Sequence, residues 1–131
     1  MLATKYGPIH AVTGPCNDSY QNIVLWHTNG GVTVKLQKPA MDSFRIASLK
    51  CKGIPLTGSW RSCAYQTELY ASDSNRYANP AGTGHTRGLC IDVSTALPAR
   101  KLRAIHKALT AGGWHQARSD ESWHWSFHVS V

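Results

Sequence analysis

Two stretches far apart in the chain restrict how it can fold. Ala81 to Val93 reads Ala-Gly-Thr-Gly-His-Thr-Arg-Gly-Leu-Cys-Ile-Asp-Val, and Glu121 to Trp125 reads Glu-Ser-Trp-His-Trp. Leu89 to Val93 alternates apolar residues around Cys90 and Asp92, the pattern of a short strand with those two side chains on one face. His85 precedes it in a loop between Gly84 and Gly88, whose glycines allow the backbone to bring the imidazole over the strand's start. Trp123, Trp125, Phe127 and Val129 alternate with His124, Ser126 and His128, which predicts a second strand with His124 opposite its apolar face. Glu121 stands at an odd offset from His124, so the chain must turn near Ser122.

Together these stretches hold the parts of a catalytic zinc site. Such a site uses three protein ligands, keeps a fourth position for water, and needs a nearby carboxylate to take that water's proton. His85, Asp92 and His124 are the candidate ligands and Glu121 the candidate base. Two histidines and one aspartate would also accept other divalent metals.

A third block lies upstream: Gly58-Ser-Trp-Arg-Ser-Cys-Ala-Tyr-Gln66, then Leu69-Tyr70. With His-x-x-Gly-x-x-x-Asp (85, 88, 92) and Glu-x-Trp-His (121, 123, 124), it resembles the zinc D-alanyl-D-alanine carboxypeptidase family, which also includes L-alanyl-D-glutamate endopeptidases of phages and bacteria. The resemblance covers about residues 40 to 127. It implies that His85, Asp92 and His124 bind Zn2+, that Glu121 is the general base, that Arg61 faces the substrate and its developing oxyanion, and that Gln66 supports the substrate site. Thr83 stands where the family usually has Ser, and Cys90 where a small Ala is common. Neither change removes a ligand. Glu-x-Trp-His is closer to the D,D-carboxypeptidase branch than to the endopeptidases, which often carry Asp-x-Pro-His. The implied activity is hydrolysis of a peptide bond in peptidoglycan stem peptides, at the bacterial cell wall. A catalytically inactive, zinc-stabilised wall- or partner-binding module is the alternative, as hedgehog-type signalling domains resemble these peptidases.

At 131 residues, 42% hydrophobic and 16% charged, the composition is that of an ordinary globular chain. We expect a single domain over residues 1–131, with residues 1–38 an arm and hairpin and 39–131 the catalytic core. Fourteen Lys and Arg against seven Asp and Glu give a formal charge of +7, which favours a polyanionic partner such as a cell wall. The densest basic run, Arg100 to Arg103 with Lys107, has no interleaved aromatic platform and reads as a solvated helix face, so nucleic acid is not the expected partner. No apolar run is long enough to span a bilayer, and the N-terminal residues have no signal-peptide core. A monomer acting at the wall would then be delivered by other means, as for a phage lysin or a domain of a longer protein.

The remaining elements follow from pattern. Residues 1 to 21 read as an irregular arm, and two β-rich runs flank Asn29-Gly30-Gly31 as a hairpin, an edge of the main sheet or a wall of the groove. Pro39 opens a helix with Met41, Phe44, Ala47 or Ser48, and Cys51 inward. Leu56 to Trp60 reads as a strand, Ser62 caps a helix to about Ala71, and Pro98 opens another to about Thr110. Trp114 to Ala117 is a further candidate strand. The expected class is α+β: a small, mainly antiparallel sheet with helices on one side and the zinc site on the sheet.

Cys16, Cys51, Cys63 and Cys90 lack Cys-x-x-Cys spacing, which disfavours a structural zinc site, and their pairing is open. Cys90, on the face of Asp92, is a candidate substitute ligand but reads better as a small buried thiol. His10, His27, His106 and His115 have no carboxylate at useful spacing. On a strand His128 would lie about 13 Å from His124, too far to share an ion. Trp123 and Trp125 read as core anchors.

Overall fold

The computed structural model describes residues 1–11, 16, 18, 23–28 and 31–129. Its elements are β1 (Ile23–His27), β2 (Thr33–Gln37), α1 (Lys38–Lys50), β3 (Leu56–Gly58), α2 (Cys63–Ser72), β4 (Cys90–Val93), α3 (Ala99–Ala111), β5 (Trp114–His115) and β6 (His124–Phe127). Short 3₁₀ turns at Pro80–Gly82 and His85–Arg87 interrupt the chain between α2 and β4. The class is α+β with antiparallel sheets, as expected.

The main sheet has the order β3-β4-β6-β5, and every pairing is antiparallel. Strands β4 and β6 are therefore central, and all eight of their residues are buried. The β1–β2 hairpin forms a two-stranded sheet of its own rather than an edge of the main one. Its expected Asn29-Gly30 turn lies outside the described residues, as does part of the expected N-terminal arm. Within that arm, Leu2 and Ile9 pair as an isolated antiparallel bridge, and Ile9 is fully buried.

The helices follow the sequence pattern. On α1, Met41, Phe44, Ala47 and Ser48 face inward, and Cys51 at its end is buried. On α3, Ile105, Ala108 and Leu109 are buried while Arg100, Arg103 and Lys107 stay in solvent. A buried hydroxyl joins the two: Ser43 Oγ donates to the Gly112 carbonyl at 2.6 Å and accepts from Trp114 Nε1 at 3.1 Å. A Cβ on Gly112 would stand 2.6 Å from Ser43 Oγ, so glycine permits this approach at the end of α3. Phe44, Trp114 and Phe127 stack edge-on or tilted beneath the sheet, with centroids 5.2 to 6.4 Å apart.

Three strand expectations change. β3 stops at Gly58, before Trp60. β5 is two residues long. The last strand stops at Phe127 because His128 turns to a φ of 60°, a left-handed conformation that ends regular pairing. Among the described residues, no helix is long and apolar enough to cross a membrane.

Candidate metal centre

His85 opens the turn between Gly84 and Gly88, the second of which has a φ of 67° and reverses the chain into β4. Its ring is buried. Nδ1 lies 2.7 Å from the Ser59 carbonyl, which can only accept, so Nδ1 carries a proton and Nε2 is the nitrogen turned toward Asp92. The preceding loop is cross-braced. Thr83 Oγ1 accepts from the His85 amide at 3.2 Å, which a Ser hydroxyl would do equally well. The Arg87 guanidinium donates to the Thr83 and Ala81 carbonyls at 2.9 Å each.

Asp92 and His124 sit directly opposite one another in the β4–β6 ladder. Asp92 Oδ1 is 3.2 Å from His85 Nε2 and 3.2 Å from His124 Nδ1. The other ring nitrogen of His124 is 3.4 Å from Ser126 Oγ, which in turn lies 3.2 Å from Cys90 Sγ. Burial alone would raise the Asp92 carboxyl, but hydrogen bonds from His124 and His85 and their charges outweigh it, holding the group well below the usual carboxylate range.

The donor set fits a metal. Ligands about 2.0–2.1 Å from a tetrahedral zinc stand about 3.3 Å from one another. The carboxylate oxygen here stands 3.2 Å from each imidazole nitrogen, and all three donors fall within 4.8 Å. The Ser59 carbonyl on the far nitrogen of His85 is the outer partner that metal-binding imidazoles use to fix their orientation. Among the described residues, His85, Asp92 and His124 are the one cluster of His, Cys, Asp or Glu that could hold an ion in this way. Cys90 is outside it, a buried thiol that is not in a disulfide and meets Ser126 Oγ.

The triad opens on a cleft of about 640 Å³ that Arg61, Gln66 and Glu121 also line. Arg61 sits at the junction of β3 and α2, where Ser62 caps the helix by accepting from the Tyr65 amide. Its guanidinium donates to Asp92 Oδ2 at 3.4 Å and to Gln66 Oε1 at 3.3 Å. Gln66, fully buried, passes the link to the Ala78 carbonyl at 2.8 Å, tying Arg61 to the loop that borders the cleft. A Cβ on Gly58 would stand 3.3 Å from Asp92 Oδ2, so the bare glycine lets the carboxylate lie against β3.

Glu121 precedes the turn at Ser122 and Trp123, and its carbonyl accepts from the His124 amide at 3.1 Å. The turn that its odd spacing requires is present. Arg118 Nε stands 3.6 Å from Glu121 Oε2. Trp125 is buried at 4% exposure, whereas Trp123, expected in the core, is 42% exposed and lines the cleft. Because the chain turns through Trp123, the strand alternation does not begin until His124. Arg118, Arg76 and Tyr77 also line the cleft. No motif singled them out, since all three come from irregular segments whose placement depends on long-range packing.

Cys16 and Cys63 form a disulfide, resolving the open pairing, and Cys51 and Cys90 are buried and outside any disulfide. Beside the disulfide, Asp18 Oδ1 accepts from the Cys63 amide at 2.9 Å at the start of α2.

No family model matches the sequence, and no curated protein matches it significantly. Solved structures do. The vancomycin-resistance D,D-pentapeptidase VanY from a VanB-type resistance cassette, a glutamate-to-alanine mutant in complex with Zn(II), aligns at a TM-score of 0.62 and 12% identity, over 99% of this chain and 88% of its own. VanYB in complex with D-alanine-D-alanine aligns at 0.61 and 13% identity, over 99% of this chain and 86% of that one. The fold is that of the vancomycin-resistance D,D-peptidases. The D,D-dipeptidase VanXYg, in complex with a phosphinate analogue of D-Ala-D-Ala, aligns at 0.68 and 14% identity over 85% of this chain. The alignment spans 57% of VanXYg's length. At these identities the three D,D-peptidases are tied to this chain by fold.

Proposed function

We propose that this chain is a zinc-dependent peptidase that hydrolyses a peptide bond in peptidoglycan stem peptides, at a bond next to D-alanine. The observation that carries the reading is the convergence of His85, Asp92 and His124 donors in one cleft with Glu121 and Arg61. The shared fold with proteins solved with Zn(II), D-alanine-D-alanine and a phosphinate analogue supports it. A formal charge of +7 suits an anionic cell wall, where a lysin-type module would work.

His85 Nε2, Asp92 and His124 Nδ1 would hold the zinc. Zinc in such a site acidifies water and polarises a peptide carbonyl. Glu121 takes the proton from the attacking water and delivers it to the leaving amine. Arg61, anchored by Asp92 and Gln66, directs positive charge to the oxyanion that develops on the carbonyl. Arg118 steadies the Glu121 carboxylate, and Trp123 offers an apolar wall to the substrate.

Purified stem peptides incubated with the zinc-loaded protein and read by mass spectrometry test the reading. Loss of terminal D-Ala is the expected product, abolished in Glu121→Gln. A cut between L-Ala and D-Glu would move the assignment to the endopeptidase branch. An intact peptide with zinc bound would leave a zinc-stabilised binding module.

A further inference from the structure

The hairpin strand β2 lies before the stretch in which the sequence resembles known peptidases, yet it bonds both to the turn that follows His85 and to the Ser59–Trp60 segment that holds the His85 ring. Downstream of His85, the Gln37 amide donates to the Gly88 carbonyl at 2.9 Å, and Gln37 Nε2 donates to the Arg87 carbonyl at 2.7 Å. Upstream in sequence, the Lys35 amide donates to Ser59 Oγ at 3.1 Å, and the Lys35 carbonyl accepts from the Trp60 amide at 3.0 Å. Ser59 is the residue whose carbonyl accepts from His85 Nδ1, and the Arg61 amide two residues on donates to the His85 carbonyl at 3.1 Å.

Gln37 is only 1% exposed, and it also exchanges hydrogen bonds with the His10 backbone, accepting at 2.9 Å and donating at 3.0 Å. A buried primary amide that satisfies three backbone groups on two separate segments is costly to replace, because each lost partner leaves a desolvated polar atom. The packing is equally close. A Cβ on Gly88 would fall 2.4 Å from Ile23 Cδ1 and 2.9 Å from the Gln37 amide nitrogen, so the turn after His85 is pressed against the hairpin.

We propose that β2 is a positioning element for the metal site: Gln37 fixes the Arg87–Gly88 turn and Lys35 fixes Ser59, so that His85 is already presented to the metal before the metal arrives. The proposal rests on the zinc reading given above. It gives the N-terminal third of the chain a role in the site, although none of its described residues belongs to the His85–Asp92–His124 cluster or lines the cleft. Outer partners of metal-binding histidines typically govern affinity by 10- to 100-fold, and here that control is exerted through a neighbouring strand.

The test is zinc affinity of the full chain, by competition with a chromophoric chelator, together with the visible spectrum of the cobalt(II)-loaded protein. Gln37→Leu and Ser59→Ala are compared with wild type, each checked for folding by thermal melting. Ser59→Ala removes the hydroxyl that Lys35 holds but keeps the carbonyl that His85 uses. The expected result is zinc binding weakened about 10- to 100-fold in both variants, an altered cobalt spectrum, and recovery of both in Ser59→Thr, which keeps the hydroxyl. If Gln37→Leu does not fold, Ser59→Ala with its Thr rescue decides alone. Wild-type affinity and spectrum in the folded variants would overturn the positioning role and leave the peptidase reading standing. A wild-type chain that takes up no zinc would overturn both.

Discussion

Asp92 and His124 face each other across the central pair of strands, with Asp92 Oδ1 3.2 Å from the imidazole Nδ1. Two of the three candidate ligands are thus set by strand register, which a one-residue slip would destroy. The third, His85, arrives on a turn and is oriented by its own hydrogen bond to Ser59. The site combines a rigid half and a braced half.

Arg61 contacts Asp92 and Gln66 through two different nitrogens. A lysine offers a single point charge in place of that fork. Arg61→Lys is therefore expected to retain metal but lose about 10²- to 10³-fold in kcat, the scale of removing one oxyanion donor. Steady-state kinetics beside metal analysis check this; near-normal kcat would remove Arg61 from the chemistry.

The depressed Asp92 carboxyl has a pH consequence for the metal-free protein. A carboxylate whose folded pKa lies below its unfolded value adds stability above the unfolded value, about 4, and loses it as pH falls from there toward the folded pKa. Thermal melts of the metal-free wild type and Asp92→Asn should show wild type ahead near pH 6, with the gap closing below about pH 4. A gap that widens on acidification would contradict the assigned direction.

The Cys16–Cys63 bridge closes a loop with a sequence separation of 47. By chain entropy such a loop contributes about 4 kcal/mol, within a usual range of about 0 to 5. Replacing both cysteines by Ser should lower the melting temperature measurably and leave the folded zinc stoichiometry unchanged. An unchanged melting temperature would mean that the bridge does not constrain the unfolded chain.

The candidate site is legible in the sequence where its chemistry is local. His85, Asp92 and His124 stand out by residue type, and a period of two places Asp92 and the C-terminal histidine on strands without knowledge of the fold. Arg61 at a strand-to-helix junction and Ser62 as a cap were legible for the same reason. Register was not: that β4 pairs with β6, so that Asp92 meets His124, depends on packing the two strands centrally. Trp123 departs from the alternation because the chain turns at Ser122 and Trp123. His128 was placed on a strand that its positive φ ends. Gln37 was invisible as a brace because its partners lie 27 and 50 residues away, beyond any periodic signal.

The most direct measurement is the metal content of the purified protein, prepared without chelators, beside His124→Ala. About one zinc per wild-type chain is expected, with loss of that zinc in the variant while the fold stays intact. Folded wild-type protein without metal, or a His124→Ala protein that keeps its zinc, would contradict that expectation.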